Sequence, residues 1–319
     1  MKTYKLGLIL TSGLAIIFLG CGSSSSGGGS SKAELTPQTA ESMAITAAAA
    51  LPGCVYQSDN VLASPYNNSI VRLYTQTVKD ITTQNKTVKR AETLNETQAG
   101  TCPTNPGSLT ITGEHDNGDT EATYSFNQFC SGDSYENTVA NGGFTLKSNG
   151  TPSDSGPIIE NMEVKSGDIS VKETSSEGVF THTVKASKIK YTFGNPGGEA
   201  TSSAPNVLTI DSFSAVDGKS GEKFAVSNAQ IKTYPSGESS IVQIDGITYT
   251  DPENGTVTVS TTSPIVVGED GEASGGNILV EGSGGSSMIM RPDSSVQNGF
   301  TVETQGEQVG VVDCSGLGS

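Results

Sequence analysis

Apolar side chains recur at every second position from about Ser108 to Cys314, and this period constrains the fold more than any other feature of the chain. A period of two puts alternate side chains on opposite faces of an extended strand, so that one face can be buried and the other solvated. It predicts an antiparallel β body of roughly a dozen strands. The clearest apolar pairs are Ile169 and Val171, Val257 and Val259, Ile278 and Val280, Met288 and Met290, and Phe300 and Val302.

Clusters of turn-forming residues separate these apolar runs. They contain the Gly, Asn, Asp and Pro residues that tight turns require, and the whole chain carries 39 Gly. Short turns between alternating runs predict hairpins that join consecutive strands, which is the arrangement of a meander. The clusters are residues 116–119, 195–198, 217–218, 235–237, 251–255 and 269–271.

The alternation changes phase once within a long run. Phe180, His182, Val184 and Ala186 share one phase, whereas Ile189, Tyr191 and Phe193 share the other. A β-bulge between Ala186 and Ile189 would bend the strand and keep both sets on the inner face. Bent long strands favour a curved antiparallel meander, a partial barrel or an elongated sandwich.

The region before the β body has a different pattern. Thr36 is a suitable N-cap, Pro37 suits the first helical position, and Pro52-Gly53 would end the helix. A second segment from Ser64-Pro65 fits either a helix or a strand. We therefore expect a mainly β (α+β) chain, with a partly helical N-terminal region at 34–101, able to cover the sheet, and an antiparallel β domain at 102–319. The apolar positions at helical spacing are Ala40, Met43, Ala44, Ala47 and Leu51.

The first twenty residues have the layout of a secretory signal. Lys2 and Lys5 precede the uncharged apolar stretch Leu6–Leu19, which is shorter than the ~20 apolar residues of a membrane span. Gly20-Cys21 follows, and then only Gly and Ser up to Ser31. An ordinary signal and an uncleaved anchor are the alternatives, but no Ala-x-Ala-like cleavage site is present.

This segment resembles the signal of bacterial lipoproteins that signal peptidase II cleaves. It departs from the commonest form at Phe18 and Leu19. The resemblance implies removal of residues 1–20, lipid on Cys21, and residues 21–33 as a tether. It also implies attachment to the outer membrane, on its periplasmic or cell-surface side, because Gly22 rather than Asp follows the cysteine.

Residues 275–314 combine a Gly-x-Ile-x-Val strand, a Gly-Ser turn, a Met strand and a final acidic turn. This pattern resembles the C-terminal segments of uncharacterised β-rich outer-membrane lipoproteins. The resemblance covers about 40 residues and implies no activity.

Four cysteines lie beyond Cys21, namely Cys54, Cys102, Cys130 and Cys314. An even number in an exported chain predicts two disulfides, and four cysteines allow three pairings. We favour Cys102–Cys130, since these residues flank what reads as one hairpin, together with Cys54–Cys314. No Cys-x-x-Cys motif is present, which disfavours redox catalysis and zinc ribbons.

Charge and motifs restrict the function. Removing Lys2 and Lys5 with the signal takes the formal net charge from −16 to −18, which argues against nucleic-acid partners. The charge favours solubility, with divalent-cation binding as the alternative. The chain has only two histidines, His115 and His182, and neither HExxH nor GxSxG, so we predict no enzyme activity, metal or cofactor. His182 is in phase with apolar residues and is a weak ligand-binding candidate.

The sequence thus predicts a lipid-anchored exported protein with a non-catalytic structural, adhesive or partner-binding role at the cell envelope. The membrane would be contacted through lipid on Cys21, and the second partner would be an unknown protein or apolar ligand. The alternative is a periplasm-facing carrier or chaperone that holds an apolar ligand between the curved sheet and the helix. A large apolar cavity would favour the carrier, and a filled core the structural role.

Overall fold

Fourteen antiparallel strands form one sheet, and their order in the sheet is their order in the sequence. The structure is a computed structural model that describes residues 34–37, 40, 44, 92–116, 118–132, 135, 137–151, 158–176, 178–216, 218, 221, 223–251, 255–268, 272–295 and 299–313. A short 3₁₀ turn, Ser283–Gly285, connects the eleventh and twelfth strands. The strands are β1 (Glu92–Ala99), β2 (Ser108–Asp116), β3 (Asp119–Gly132), β4 (Asn137–Thr151), β5 (Ile158–Ser175), β6 (Gly178–Thr192), β7 (Asn206–Val216), β8 (Lys223–Ser236), β9 (Ser239–Asp251), β10 (Gly255–Val267), β11 (Ala273–Glu281), β12 (Ser287–Asp293), β13 (Gly299–Thr304) and β14 (Glu307–Asp313).

The prediction of a mainly β meander is confirmed. Each apolar pair that carried the prediction lies on one strand and is buried, from Ile169, which is 9% exposed, to Val302, which is 0% exposed. The predicted turn clusters fall at the ends of strands or between them. Alternation therefore identified both the strands and the face of each strand that packs inward.

Two finer predictions are not supported. One is the curved meander, partial barrel or elongated sandwich, because the strands make one open order in which β1 and β14 stand at opposite ends. Alternation fixes which face is buried but not how the sheet curves.

The short helical N-terminal region is also not supported. Pro37, Ala40 and Ala44 are the described helical positions, and the remainder of the predicted helix and the segment from Ser64 lie outside the described residues. Glu92–Ala99 is strand β1, so the sheet begins before residue 102. The side chains of β1 from Thr93 to Ala99 are exposed or half-buried. A strand with no buried face shows no alternation of apolar residues in its sequence.

The chain divides into two compact units. The described part of the first unit consists of β1 to β5, β6 up to Tyr191 and the end of β7. The second unit contains the described residues 34–37, 40 and 44, the beginning of β7, β8 from Phe224 and β9 to β14.

Aromatic side chains form the centre of the first unit. The ring of Tyr124 on β3 stacks on that of Phe144, its partner on β4, with ring centroids 4.7 Å apart. Gly167 on β5 is opposite Phe144, and a Cβ built there would lie 3.3 Å from the Phe144 Cβ. Such stacked rings contribute about 0.5–1.5 kcal/mol beyond the area they bury.

The predicted bulge on β6 is confirmed. Ala186 and Ile189 are both buried, and Lys188 between them has a φ of +46°. Two further strands repeat this geometry, with Gln128 at +48° between buried Phe126 and Phe129 on β3, and Asn228 at +52° between buried Val226 and Ala229 on β8. In each case, one left-handed residue restores the phase, so that the apolar residues on both sides of it stay on the buried face.

We expect Lys188→Gly to raise the free energy of unfolding by about 0.5–1 kcal/mol. A non-glycine residue in the left-handed region costs about 1–2 kcal/mol, which exceeds the ~0.5–1 kcal/mol entropic cost of a strand glycine. Chemical denaturation measures the change. The matched control is Lys185→Gly on the same strand, where φ is not positive and stability should fall. Equal losses in both variants would contradict the role of Lys188.

A disulfide fastens the connection between β1 and β2 to β3. The Cα atoms of the bonded Cys102 and Cys130 lie 5.5 Å apart, and this is the pairing favoured from the sequence. The Thr101 N–H donates to the Cys130 carbonyl at 2.8 Å, and the Cys130 N–H donates to the Pro106 carbonyl at 2.9 Å. The connection thus occupies hydrogen-bonding positions along β3 beyond the bulge at Gln128. Cys54 and Cys314 lie outside the described residues, so that pairing stays a prediction.

We expect the double variant Cys102→Ser/Cys130→Ser to lose about 3–4 kcal/mol of stability, the loop-closure entropy for a separation of 28 residues. Denaturation of oxidised and reduced wild type should show the same difference. Reductant should not change the unfolding midpoint of the double variant. If the double variant unfolds at the same denaturant concentration as oxidised wild type, the disulfide assignment is wrong.

Candidate functional site

His182 is the one sequence-predicted ligand-binding candidate, and the structure buries it in the first unit. It lies on β6 before Val184, and only 2% of its surface is exposed. The alternation along β6 puts it on the same face as the buried Val184 and Ala186. The phase argument therefore placed His182 correctly on the inner face.

The imidazole lies between a backbone amide and a carboxylate. Gly218, which follows β7, donates its N–H to His182 Nδ1 at 3.1 Å. Nδ1 is therefore the acceptor, and in the neutral ring the proton is on Nε2. His182 Nε2 lies 3.5 Å from Oε2 of Glu173, a β5 residue whose side chain is 26% exposed. This arrangement fixes both the tautomer and the orientation of the ring.

Gly218 must be a glycine for the turn to reach His182. A Cβ at position 218 would lie 2.2 Å from the carbonyl oxygen of Thr181, far inside van der Waals contact. The backbone of the turn thus lies directly against β6, and this contact brings the Gly218 N–H within reach of the ring. The sequence suggested only a turn at Asp217-Gly218 and gave no sign of this contact.

The geometry favours a structural role for His182 over a catalytic one. A general base must reach the proton that it abstracts, and a side chain with 2% exposure presents almost no surface to a substrate. In the part of the chain that the structure describes, no group of three or more His, Cys, Asp or Glu residues could hold a metal ion. What the cluster can do is hold the turn after β7 against β6, through the hydrogen bond from the Gly218 N–H to His182 Nδ1.

The other predicted site residues are placed as follows. Cys102 and Cys130 are joined, whereas Cys21, like Cys54 and Cys314, lies outside the described residues. His115 is on β2, where its register partners are Glu92 and Thr120.

Sequence reasoning missed Glu173 and Gly218. Glu173 and His182 flank the same β5–β6 turn, which was a usable signal, since residues near a hairpin turn are close in space. The contact with Gly218 spans 36 residues and depends on the path of the chain after β7. No local pattern reports such a contact.

One exposed ion pair on the first unit joins Lys165 on β5 to Glu121 on β3. Lys165 Nζ lies 2.7 Å from Glu121 Oε1, and this hydrogen bond lowers the pKa of the Glu121 carboxyl. Both side chains are more than 40% exposed, so the pair contributes no more than about 1 kcal/mol. Burial raises the pKa of Tyr124, which keeps this core phenol protonated.

None of the described helical residues forms a helix long and apolar enough to cross a membrane. Comparison of the whole chain with protein-family models, with curated proteins and with solved structures finds no match. The site must therefore be interpreted from its own chemistry.

We expect Gly218→Ala to destabilise the protein by about 1–3 kcal/mol, the usual cost of overpacking, because the new methyl group would collide with the Thr181 carbonyl. Thermal or chemical unfolding measures this loss. Gly246→Ala is the matched control, since a Cβ there meets nothing within 4 Å and stability should not fall. Comparable stability of the two variants would show that the turn does not pack on β6 as described.

Proposed function

We propose that this protein is an exported lipoprotein, held to the outer membrane by lipid on Cys21. The observation that carries the proposal is the uncharged stretch Leu6–Leu19, with Lys2 and Lys5 before it and Gly20-Cys21 directly after it. Each buried methylene contributes about 0.8 kcal/mol to membrane binding, so several acyl chains on one cysteine give stable attachment. Without residues 1–20, the formal net charge of −18 would keep the folded part away from anionic headgroups.

The disulfide supports export. Disulfides persist in oxidising compartments and are rare in the cytosol. Backbone hydrogen bonds surround the Cys102–Cys130 bond. Thr101 donates to the Cys130 carbonyl, and Cys130 donates to the Pro106 carbonyl. A reducing compartment would leave this connection without its covalent link.

The role that we propose at the envelope is structural, adhesive or partner-binding rather than catalytic. Support comes from His182, whose buried contacts with Gly218 and Glu173 account for its position without any substrate. A wide sheet with a solvated face offers surface for a partner. Hydrolase and transferase screens test this role. Turnover by the wild type would overturn it if that turnover were lost in His182→Ala but kept in a destabilised control such as Gly218→Ala.

A carrier for an apolar ligand is the second candidate, and one observation favours it. In the second unit, the face of β11 to β13 is fully buried and contains Met288 and Met290, whose flexible side chains adapt to varied apolar partners. Residues of the N-terminal segment are buried in the same unit. A ligand between that segment and the sheet would copurify with the protein, and mass spectrometry of organic extracts would detect it.

We expect Cys21→Ser to abolish incorporation of labelled fatty acid and to move the protein from the membrane fraction to the soluble fraction. The thiol of Cys21 is the proposed attachment atom, and a hydroxyl does not replace it in this modification. Metabolic labelling with membrane fractionation measures both effects. Cys102→Ser/Cys130→Ser is the control, because it makes the same change elsewhere and should keep the label. A labelled, membrane-bound Cys21→Ser protein would refute the proposal.

A further inference from the structure

The connection between β1 and β2 lies along a part of β3 that β2 does not reach. The pairing of β2 with β3 ends at Ser108 and Asn127. Beyond this point, residues 129–132 of β3 pair with β4 on one side. Residues 100–107, which we call the clasp, join β1 to β2 and lie on the other side. Open strand edges offer N–H and C=O groups to other chains, and a loop is one of the devices by which proteins cover them.

Backbone contacts hold the clasp against β3. The Thr101 N–H donates to the Cys130 carbonyl at 2.8 Å, and the Cys130 N–H donates to the Pro106 carbonyl at 2.9 Å. The Gly132 N–H donates to Oγ1 of Thr101 at 3.2 Å. The clasp therefore satisfies both backbone polar groups of Cys130 and the N–H of Gly132, and it takes the place that another strand would occupy.

Two glycines allow this close approach of the backbones. A Cβ at Gly100 would lie 2.3 Å from the Cys130 carbonyl oxygen, and a Cβ at Gly107 would lie 1.9 Å from the Gln128 carbonyl oxygen. Gly107 also has a φ of +63°, in the left-handed region that favours glycine. Both ends of the clasp thus lie directly on the edge of β3.

The disulfide is the strongest link between the clasp and the sheet. Among residues 100–107 only Cys102 is buried, whereas Thr101 and residues 103–105 are exposed. Backbone hydrogen bonds contribute modestly to stability, because water replaces them when they open. A segment with few buried apolar contacts opens locally at a lower free energy than the whole fold. The Cys102–Cys130 bond, rather than packing, therefore keeps the clasp closed.

We propose that residues 100–107 form a thiol-controlled clasp, which is closed while Cys102 and Cys130 are joined and opens once a dithiol has reduced them, in a first unit whose sheet stays folded. The dithiol supplies two electrons and two protons, so that the S–S bond breaks, each sulfur becomes a thiol, and the dithiol becomes a disulfide. The closed clasp withholds the edge of β3 from other chains. This inference does not depend on lipid at Cys21.

Hydrogen exchange of backbone amides, measured residue by residue by NMR in the full chain, tests the clasp. The samples are the oxidised protein, the protein treated with dithiothreitol, and Cys102→Ser/Cys130→Ser. In the last two, we expect the amides at positions 101 and 130 to exchange at least about tenfold faster than in the oxidised protein. The amides that pair β4 with β5 should still exchange at least about a hundredfold more slowly than those two, because their strands stay folded.

Three results would overturn the proposal. Unchanged exchange at positions 101 and 130 after reduction, which a gain of two hydrogen atoms in mass verifies, would show that the hydrogen bonds hold the clasp without the disulfide. Equal exchange rates at the clasp and between β4 and β5 would show that the clasp opens only with the whole first unit. A disulfide that dithiothreitol leaves intact in the folded protein would remove the control by thiols.

Gly107→Ala tests the closed contact without a redox change. The new methyl group would lie 1.9 Å from the Gln128 carbonyl oxygen, so the Thr101 amide should exchange at least about tenfold faster in the oxidised variant. Gly237→Ala is the matched control, because its φ of +64° imposes the same backbone strain, although a Cβ there meets nothing within 4 Å. Equal exchange of the Thr101 amide in both variants would show that the clasp does not lie on β3 as described.

Discussion

Burial of a single sheet face is the constraint on which the rest of this structure depends. Slipping a strand by one residue would transfer its apolar side chains to the solvated face, so register is fixed wherever that face is buried. In the second unit, Ile278, Met290 and Val302 follow one another across three strands and are all 0% exposed. Long strands can satisfy this constraint only if their phase is corrected, and the left-handed residues Gln128 and Lys188 make that correction in the first unit.

The sequence could predict those features that repeat locally. Alternation identified the strands, and the change of phase after Ala186 located the bulge at Lys188. The same spacing at Phe126 and Phe129 contained the corresponding signal on β3 and was not used. Strand β1 was missed because its side chains from Thr93 to Ala99 are exposed or half-buried, so nothing in its composition records the pairing with β2.

Features that depend on distant parts of the chain could not be predicted. Curvature could not be predicted because the twist and bending of a sheet arise from all its strands together, whereas alternation describes each strand alone. His182 was placed correctly on the inner face, but its contact with Gly218 depends on a backbone approach that leaves no room for a Cβ. A buried histidine so held is a polar part of the core, which is consistent with its apolar phase.

The order of strands also has a consequence for how the chain folds. Each described strand pairs with its neighbours in sequence, so each hairpin can form as soon as its two strands are available. The hydrogen bond that the Leu35 N–H donates to Oγ of Ser286 is different, because it closes a separation of 251 residues. In a chain synthesised from its N-terminus, Leu35 emerges early but finds its partner Ser286 only after β11 and β12 have met. Docking of the N-terminal segment is therefore a late event, and it marks a second unit whose hairpins are already assembled.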